Sequence, residues 1–242
     1  MPATLKDCKA LVVGASSGIG REVALLMARE GARVVAAARR LDRLENLRNE
    51  ASAEKGAIEV FQADASQVED MERLGRQALA TLGTLDILVY AAGINTRERY
   101  LPNLNPQIWN SLIDANLNGA YYITHAVLPH MRAAKSGHLI YISSISGLFP
   151  DASGAAYQAS KRGLVGFAHA IRFEEKENGI RTSVVCPGLV DTELLNQRPV
   201  KPPPETLAKA LKPVDVAELV LAIAKMPAHV VIPEVQIVPA AV

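Results

Sequence analysis

A short apolar segment that leads into a cluster of glycines and then into a helical pattern constrains this chain more than any other feature. Lys9–Val13 is a predicted buried strand, and residues 14–20 follow it directly with the sequence GASSGIG. Residues 21–30 place apolar side chains at helical spacing, and Gly31 closes that pattern. Strand, glycine turn and helix in this order are the context that a dinucleotide-binding fingerprint requires.

The three glycines of this turn have different physical tasks. Gly14 turns the chain sharply off the strand, Gly18 lets backbone N–H groups approach a pyrophosphate, and Gly20 lets the helix pack against the sheet. The N-terminus of the following helix adds the partial positive charge that anions seek. The spacing, GxxxGxG, differs from the commoner GxGxxG, so a plain tight turn is the alternative interpretation.

Strands and helices alternate along the rest of the chain. Predicted strands lie at residues 33–38, 57–62, 85–89, 138–143, 182–186 and 230–238, and helices of ten residues or more separate most of them. This alternation predicts a single-domain α/β fold over residues 1–242, a Rossmann-like, doubly wound parallel sheet of about seven strands with helices on both faces. Ligands of such sheets bind beyond the carboxyl ends of the strands. Gly14, Arg39, Asp64 and residues 91–93 all fall at those ends.

The end of the second strand indicates which nicotinamide cofactor would bind. A carboxylate there bonds the ribose 2′-hydroxyl of NAD, whereas an arginine accommodates the 2′-phosphate of NADP. Ala38 leaves that place without a carboxylate, and Arg39 and Arg40 follow it, so NADP(H) is favoured. At the end of the third strand, Asp64 accepts from the adenine amino group, caps the next helix, or does both.

A tyrosine and a lysine share one face of a later helix. Tyr157 and Lys161 lie one helical turn apart if residues 155–176 form a helix, and Ser144 precedes the tyrosine by thirteen residues at the end of a strand. A phenol titrates near 10, and a neighbouring ammonium lowers its pKa. The three groups suit proton transfer coupled to hydride transfer. Asn116, inside a predicted helix over residues 106–131, is either a local kink or a fourth member.

Composition excludes several classes of function. The 26 basic and 25 acidic residues leave a net charge of +1, which indicates no nucleic-acid partner. Apolar runs are too short for a membrane span, and no signal peptide is seen at the start, so a cytoplasmic protein is expected. Cys8 and Cys186 lack metal-ligand spacing, no two of the five histidines are four residues apart, and no metal is predicted.

Two loops frame the expected substrate pocket. The proline-rich residues 193–212 form a poor continuous helix and are predicted to be a mobile substrate lid. Arg97 and Arg99 on one loop, with Arg198 and Lys201 on the other, suggest a substrate carboxylate; solvated surface charges are the alternative.

The chain resembles the short-chain dehydrogenase/reductase family from Lys9 to Val238. The glycine turn, the tetrad Asn116, Ser144, Tyr157 and Lys161, and the turn at Pro187, Gly188 and Thr192 carry the resemblance, in the family's order. Where that family usually has Asn-Asn-Ala-Gly, this chain has Tyr90-Ala91-Ala92-Gly93, and Val13 stands where a threonine is common.

The resemblance implies an NADP-dependent enzyme that interconverts a carbonyl compound and an alcohol. Ser144 would orient the carbonyl, Tyr157 would donate the proton, Lys161 would lower the pKa of the phenol and bond the nicotinamide ribose, and Asn116 would hold a water. The implied cofactor-binding positions are Gly14, Ser16, Ser17, Gly18, Ile19, Gly20, Arg39, Arg40, Asp64, Ala65, Ala92, Gly93, Tyr157, Lys161, Pro187, Gly188, Val190 and Thr192. A homotetramer or homodimer paired through the two long helices is expected by resemblance only.

The C-terminal segment, residues 232–239, resembles family members that act on small hydroxy acids or general carbonyl compounds more than it resembles the fatty-acid ketoacyl reductases, which usually end in a glycine-rich segment. A 3-oxoacyl-thioester reductase of the same family is the alternative enzyme. From other classes, a non-catalytic NADP-binding sensor and a partner-binding scaffold remain, and a carbonyl panel assayed with NADPH and NADH distinguishes them from an enzyme.

Overall fold

Seven parallel strands form one sheet, and their order is β3-β2-β1-β4-β5-β6-β7. The computed structural model describes residues 4–54 and 56–241. The strands are β1 (Lys9–Val13), β2 (Arg33–Ala38), β3 (Ala57–Gln62), β4 (Ile87–Tyr90), β5 (Gly137–Ile142), β6 (Ile180–Pro187) and β7 (Glu234–Ile237). The α/β, Rossmann-like, doubly wound sheet predicted from the sequence is confirmed.

Helices connect successive strands and cover both faces of the sheet. They are α1 (Gly18–Arg29), α2 (Leu41–Ala53), α3 (Val68–Leu82), α4 (Pro106–Ile113), α5 (Gly119–Ala134), α6 (Ala155–Glu175), α7 (Pro204–Leu207) and α8 (Pro213–Ala224). Helix α1 begins at the second glycine of the turn, three residues earlier than its apolar pattern indicated.

Side chains of each strand alternate between two buried clusters. In β1, Ala10 and Val12 join the cluster that α1, α2 and α8 cover. Leu11 and Val13 point to the opposite face and join the cluster formed with α3, α5 and α6. Because both faces are covered, the strand is apolar at almost every position, which is typical of parallel sheets.

The helix predicted over residues 106–131 is interrupted. Helix α4 ends at Ile113, a single π-helical turn spans Asp114–Asn118, and α5 continues from Gly119. Single π turns inside helices are often found at functional sites. Asn116 lies at the centre of this turn, so the local kink that its side chain suggested is present.

The proline-rich segment after β6 has little regular structure. A 3-10 helix covers Glu193–Gln197, and α7 is a single turn at Pro204–Leu207. Leu211 donates a backbone hydrogen bond to the carbonyl of Leu189, and Asp191 donates one back to the carbonyl of Leu211. The segment therefore returns to its starting point and forms a flap over the end of β6. In the part of the chain that is described, no helix is both long and apolar enough to cross a membrane.

Candidate active site

One cavity of about 620 Å³ lies beyond the carboxyl ends of β1, β2, β4, β5 and β6. Its walls include Gly14, Arg39, Ser144, Tyr157 and Thr192, residues separated by up to 178 positions in the chain. The carboxyl edge of a doubly wound sheet is where such folds bind ligands. The predicted cofactor and catalytic residues therefore meet at one place.

Close backbone contacts explain two of the glycines in the turn. Gly14 has a φ of +91°, and a Cβ there would lie 2.5 Å from the backbone nitrogen of Ala92. Gly20 sits against the carbonyl of Gly14, where a Cβ would overlap the oxygen. These contacts pack the start of α1 against β1 and against the residues that follow β4.

Gly18 lies next to the loop after β6. Its φ is +59°, and a Cβ would lie 3.3 Å from Cγ2 of Thr192. Thr192 comes from the far loop after β6, so Gly18 and Thr192 face each other across the mouth of the cavity. A side chain at position 18 would therefore press against Thr192.

The two arginines after β2 point in different directions. Arg40 donates from Nη2 to Oγ of Ser17 (2.7 Å) and to Oγ of Ser16 (3.1 Å), and it forms an ion pair with Glu193. Arg39 is largely exposed and lies 4.0 Å from Asp64. Both guanidinium groups line the cavity. Sequence reasoning emphasised Arg39, whereas Arg40 makes the direct contacts with the glycine turn.

Asp64 does not cap the next helix. Its Oδ1 accepts from the backbone N–H and from the hydroxyl of Ser66, at 3.0 and 2.9 Å, and the N-cap of α3 is Gln67. The capping interpretation was therefore wrong, because a tight side-chain turn holds this carboxylate before the helix begins. Its oxygens remain at the wall of the cavity.

Asn116 is buried and does not line the cavity. Its Oδ1 accepts from the backbone N–H of Ile94 (2.7 Å), and its Nδ2 donates to the carbonyl of Ile94 (3.0 Å) and to Oγ of Ser160 (3.0 Å). The side-chain amide thus joins the loop after β4 to helix α6. These bonds use both amide hydrogens, so the side chain acts here as a clamp.

Tyr90, in place of the asparagine common in similar proteins, has a structural task of its own. Its fully buried hydroxyl donates to the carbonyl of Ala115 (2.6 Å), inside the π turn. Gly119 makes room for this contact, because a Cβ there would overlap the hydroxyl. Through this hydrogen bond Tyr90 supports the π turn that contains Asn116.

Ser144 follows β5 and begins a short hydroxyl chain. Its Oγ donates to Oγ of Ser146 (3.1 Å), which in turn donates to the carboxylate of Asp151. The Ser144 oxygen also accepts from the backbone N–H of Ser146 (3.1 Å). This chain fixes the direction of the Ser144 hydroxyl at the wall of the cavity, and no signal in the sequence identified Ser146 or Asp151.

Helix α6 brings Tyr157 and Lys161 to the same site, one turn apart. The ammonium nitrogen lies 5.8 Å from the centroid of the phenol ring. Burial raises the pKa of Tyr157 to about 12, and the interaction with the Ser144 hydroxyl opposes that rise. The net shift is upward because desolvation of the phenolate outweighs the lowering by Ser144, Arg198 and Arg99. A lowering by Lys161 stays a prediction.

The buried surroundings of Lys161 destabilise its charged form. The side chain is 4% exposed, and Nζ donates to the carbonyl of Ile142 (3.0 Å). Burial lowers the pKa of Lys161 to about 8. Gly93 provides the space for the ammonium, because a Cβ at that position would lie 3.3 Å from Nζ. A lysine with a pKa this close to neutrality is suited to exchanging protons.

The cavity contains nearly all residues of the predicted cofactor set. The members that line it, besides those described above, are Ile19, Ala65, Ala92, Pro187, Gly188 and Val190. Gly20 does not line the cavity, since it packs beneath the turn. Arg99 and Arg198 also line the cavity, whereas Arg97 and Lys201 do not.

Comparisons with known proteins agree with this geometry. The family model for short chain dehydrogenases matches residues 9–202. An uncharacterised oxidoreductase of Staphylococcus aureus (strain MRSA252) is 35% identical over 236 residues, which cover 97% of this chain and 98% of that protein.

Two solved structures are also similar over nearly their whole length. A metagenomic short-chain oxidoreductase in complex with NADP is 34% identical, with a TM-score of 0.86, and the match covers 98% of this chain and 99% of that one. The closed form of a serine dehydrogenase complexed with NADP⁺ is 31% identical, with a TM-score of 0.85 and coverage of 94% and 93%. The chain belongs to the short-chain dehydrogenase/reductase family of oxidoreductases.

Proposed function

We propose that this protein is an NADP(H)-dependent oxidoreductase that interconverts a small ketone or aldehyde and the corresponding alcohol. The observation that carries the proposal is the meeting of Ser144, Tyr157 and Lys161 with the glycine turn in one cavity. A cavity of this kind, with convergent polar groups and perturbed pKa values, is the expected form of an active site. The oxidoreductases among its relatives support the same reaction class.

The residues present suit a dinucleotide phosphate. Gly14, Ser17 and Gly18 line the cavity at the N-terminus of α1, where backbone N–H groups and the helix dipole favour an anion. The N-cap residue Ser17 makes no side-chain cap to the helix, so its hydroxyl is directed to Arg40 instead. Arg39 and Arg40 bring two positive charges to the end of β2, beside this helix N-terminus. When bound, the cofactor supplies or accepts the hydride.

The protein supplies orientation and the proton. Ser144 would turn its hydroxyl hydrogen from Ser146 to the carbonyl oxygen of the substrate, and it would accept from the hydroxyl of an alcohol. Tyr157 gives its phenolic proton to the oxyanion, and the ammonium of Lys161, 5.8 Å from the centroid of the phenol ring, would stabilise the resulting phenolate. Asn116 holds the loop after β4 against α6, and through the π turn it keeps Lys161 in register. We also propose that a water at this turn links Lys161 to solvent.

Neutralising the two arginines after β2 tests the choice of cofactor. We expect the double variant Arg39→Ala/Arg40→Ala to weaken NADPH binding by about 100-fold and NADH binding by less than about 3-fold, because each lost contact is a charge-assisted hydrogen bond to the 2′-phosphate alone. Titration of each reduced cofactor by fluorescence measures both constants. Arg43→Ala is the matched control, since Arg43 pairs with Glu193 but does not line the main cavity. Equal losses for NADPH and NADH would contradict a 2′-phosphate site here.

Residues 193–212 are proposed as the substrate lid of a chain that forms one domain over residues 1–242. Ion pairs from Arg40 and Arg43 hold Glu193 at one end of the segment, and Lys212 bonds Asp191 at the other. Between these ends Leu194, Leu195 and Thr206 face the cavity. Movement of this segment would admit a substrate to Tyr157.

The proposed substrate is a small hydroxy acid or a general carbonyl compound, and a 3-oxoacyl thioester is the alternative within the family. The serine dehydrogenase relative supports the first choice. A panel of neutral ketones, aldehydes, oxo acids and a 3-oxoacyl thioester, each assayed by the oxidation of NADPH and of NADH, tests the reaction class. Turnover of at least one carbonyl compound with NADPH is expected, whereas tight NADPH binding with no turnover would indicate a sensor.

Assembly as a homotetramer or homodimer is proposed through α5 and α6. Phe173 on α6 is 71% exposed, and Tyr121 on α5 is 48% exposed. Large apolar side chains at such exposure on two long helices are typical of a surface that pairs. The cytoplasmic location stays a prediction.

A further inference from the structure

We infer that the cavity contains a carboxylate-binding subsite formed by Arg99 and Arg198, so that the substrate is a small oxo or hydroxy acid. The inference rests on the proposed function and selects one of the substrate classes given there. It starts from a buried cation, Arg99, whose side chain lies in the wall of the cavity.

Arg99 is 4% exposed, which is exceptional for an arginine. Its Nε donates to the carbonyl of Thr96 (2.9 Å), and its Nη2 donates to the carbonyl of Gln197. Both acceptors are neutral. Within residues 4–54 and 56–241, no carboxylate oxygen lies within the 4.0 Å of an ion pair from Arg99 or Arg198. Burying a charge without a counter-ion is costly, and a ligand that supplies the counter-ion would offset this cost.

The main chain is shaped to place Arg99 at this point. Gly154, the N-cap of α6, has a φ of +93°, and a Cβ on it would lie 2.6 Å from Cβ of Arg99 and would overlap its carbonyl oxygen. Gly154 is three residues before Tyr157. The same turn therefore positions the proton donor and leaves the gap into which the Arg99 backbone fits.

Arg198 faces the same part of the cavity from the opposite loop. The two guanidinium charges act on each other, since Arg198 contributes to the lowering of the pKa of Arg99, and both oppose the rise in the pKa of Tyr157. They are thus close to one another and within Coulombic reach of the phenol. An anion between them would relieve their repulsion and would hold a carbonyl group within a few bonds of Tyr157.

The carboxylates of the cavity are committed elsewhere. Asp151 accepts from the hydroxyl of Ser146 and from the backbone N–H of Ser153, and Glu193 is paired with Arg40 and Arg43. Asp64, the third carboxylate in the cavity wall, lies 4.0 Å from Arg39. The charge of Asp151 opposes the lowering of the Arg99 pKa, but within the described residues none of the three carboxylates forms an ion pair with Arg99 or Arg198. A carboxylate of the substrate is the chemical group that complements them, because it accepts parallel hydrogen bonds from guanidinium groups.

Binding of the acid is also linked to the lid. The bond from Arg99 to the carbonyl of Gln197 joins the loop after β4 to the segment 193–212, and Arg198 is the next residue of that segment. A carboxylate held by both arginines bridges the two loops. Hydride addition to the carbonyl carbon and proton transfer from Tyr157 to its oxygen then convert the oxo acid to the hydroxy acid, with NADPH oxidised to NADP⁺.

The test compares acids with their methyl esters, which keep the carbonyl group and lose the charge. Pyruvate and methyl pyruvate form one pair, and acetoacetate and methyl acetoacetate form the other. We expect the wild-type protein to reduce one acid with a kcat/KM about 10- to 100-fold above that of its ester. Arg198→Gln and Arg99→Gln should each lower kcat/KM for the acid by about 10-fold or more and leave the ester nearly unchanged.

Matched variants distinguish the effect of a lost charge on substrate binding from an effect on folding. Arg97→Gln changes an arginine on the same loop that does not line the cavity, and it should leave the acid-to-ester ratio unchanged. The side chain of Arg198 makes no hydrogen bond or ion pair with the described residues, so Arg198→Gln tests the inference even where Arg99→Gln loosens the loops. Arg99→Lys keeps the charge and should recover part of the ratio.

The possible failures are distinguishable. A wild-type protein that reduces esters as well as acids, or variants that lose both equally, would overturn the carboxylate subsite and leave the proposed carbonyl reduction standing. Reduction of a 3-oxoacyl thioester in preference to all four compounds would also overturn it. An absence of NADPH oxidation with every compound would remove the proposed function itself.

Discussion

Replacement of Tyr157 by phenylalanine is expected to lower turnover by about 10²- to 10⁴-fold and to leave NADPH affinity nearly unchanged. The change removes a single oxygen, and general acid catalysis typically contributes this much to the rate. The phenyl ring retains the packing of Tyr157 against Leu112 and Ala156. Steady-state NADPH oxidation with the best carbonyl compound of the panel, together with a cofactor titration, measures both quantities.

The matched control for this variant is Tyr121→Phe, at a tyrosine on α5 that is 48% exposed and does not line the cavity. It removes the same atom and should leave turnover and thermal stability unchanged. A Tyr157→Phe protein with full turnover would show that another group delivers the proton. A variant that loses NADPH binding in parallel with turnover would instead place the hydroxyl in cofactor binding.

The rate should also depend on pH in the direction that a phenol acid requires. Because burial raises the pKa of Tyr157 to about 12, the phenol stays protonated at neutral pH and can donate. Its ordinary value is near 10, so the arrangement favours reduction of a carbonyl over oxidation of an alcohol at neutral pH. Alcohol oxidation needs the phenolate, and its rate should therefore rise with pH.

Much of the fold follows from local patterns in the sequence. Strands β1 and β2 are apolar at nearly every position, and helix α1 between them repeats apolar residues at helical spacing. The order of these elements was therefore predictable. The right-handed crossover rule then places the strand ends on one edge. The residues that gather there, Gly14, Arg39 and Asp64, were predictable for the same reason.

Burial could not be predicted from the sequence, and it decides the electrostatics of the site. The spacing of Tyr157 and Lys161 predicts that they are neighbours, which they are, but it also predicted that the ammonium acidifies the phenol. The net shift of the Tyr157 pKa is upward, because burial of the phenol is its largest cause. Arg99 is a second example of burial that the sequence does not reveal. An arginine on a polar loop is expected to be solvated, yet Arg99 is buried.

Sequence patterns also do not reveal side-chain contacts between distant segments of the chain. The pairing of Tyr90 with Ala115 joins positions 25 residues apart. Arg40 reaches Ser16 and Ser17 from the adjacent strand end, and no pattern in the sequence separates its role from that of Arg39. Such contacts depend on strand order and register, which become known only when the sheet is assembled.

The buried Lys161 should make the protein less stable than it could be. Burial lowers the pKa of Lys161 to about 8, from an ordinary value near 10.4. Between these values the unfolded chain holds a proton that the folded protein has released, so stability increases with pH across this range. Below pH 8 the folded protein carries the full cost of the buried ammonium, which is about 3 kcal/mol at about 1.4 kcal/mol for each pH unit of difference.

Lys161→Met is therefore expected to abolish most of the activity and to stabilise the fold. Turnover should fall by about 100-fold or more, because the phenolate loses its cation. At pH 7 the unfolding temperature should rise by several degrees. The relief of desolvation exceeds the lost hydrogen bond to Ile142, which is about 1 kcal/mol, and 1 kcal/mol corresponds to about 2–4 °C in a chain of this size.

The dependence of this gain on pH separates the electrostatic cause from better packing. Thermal unfolding of Lys161→Met and of the wild-type protein, measured from pH 7 to pH 10, should show the difference shrinking as the lysine of the folded wild-type protein becomes neutral. Lys176→Met, at an exposed lysine just after the same helix, should show little gain at any pH and full turnover. A gain of the same size at pH 7 and pH 10 would mean that methionine simply packs better. A loss of stability at pH 7 would show that the ammonium is well solvated in its pocket, and the cost assigned to Lys161 would then be wrong.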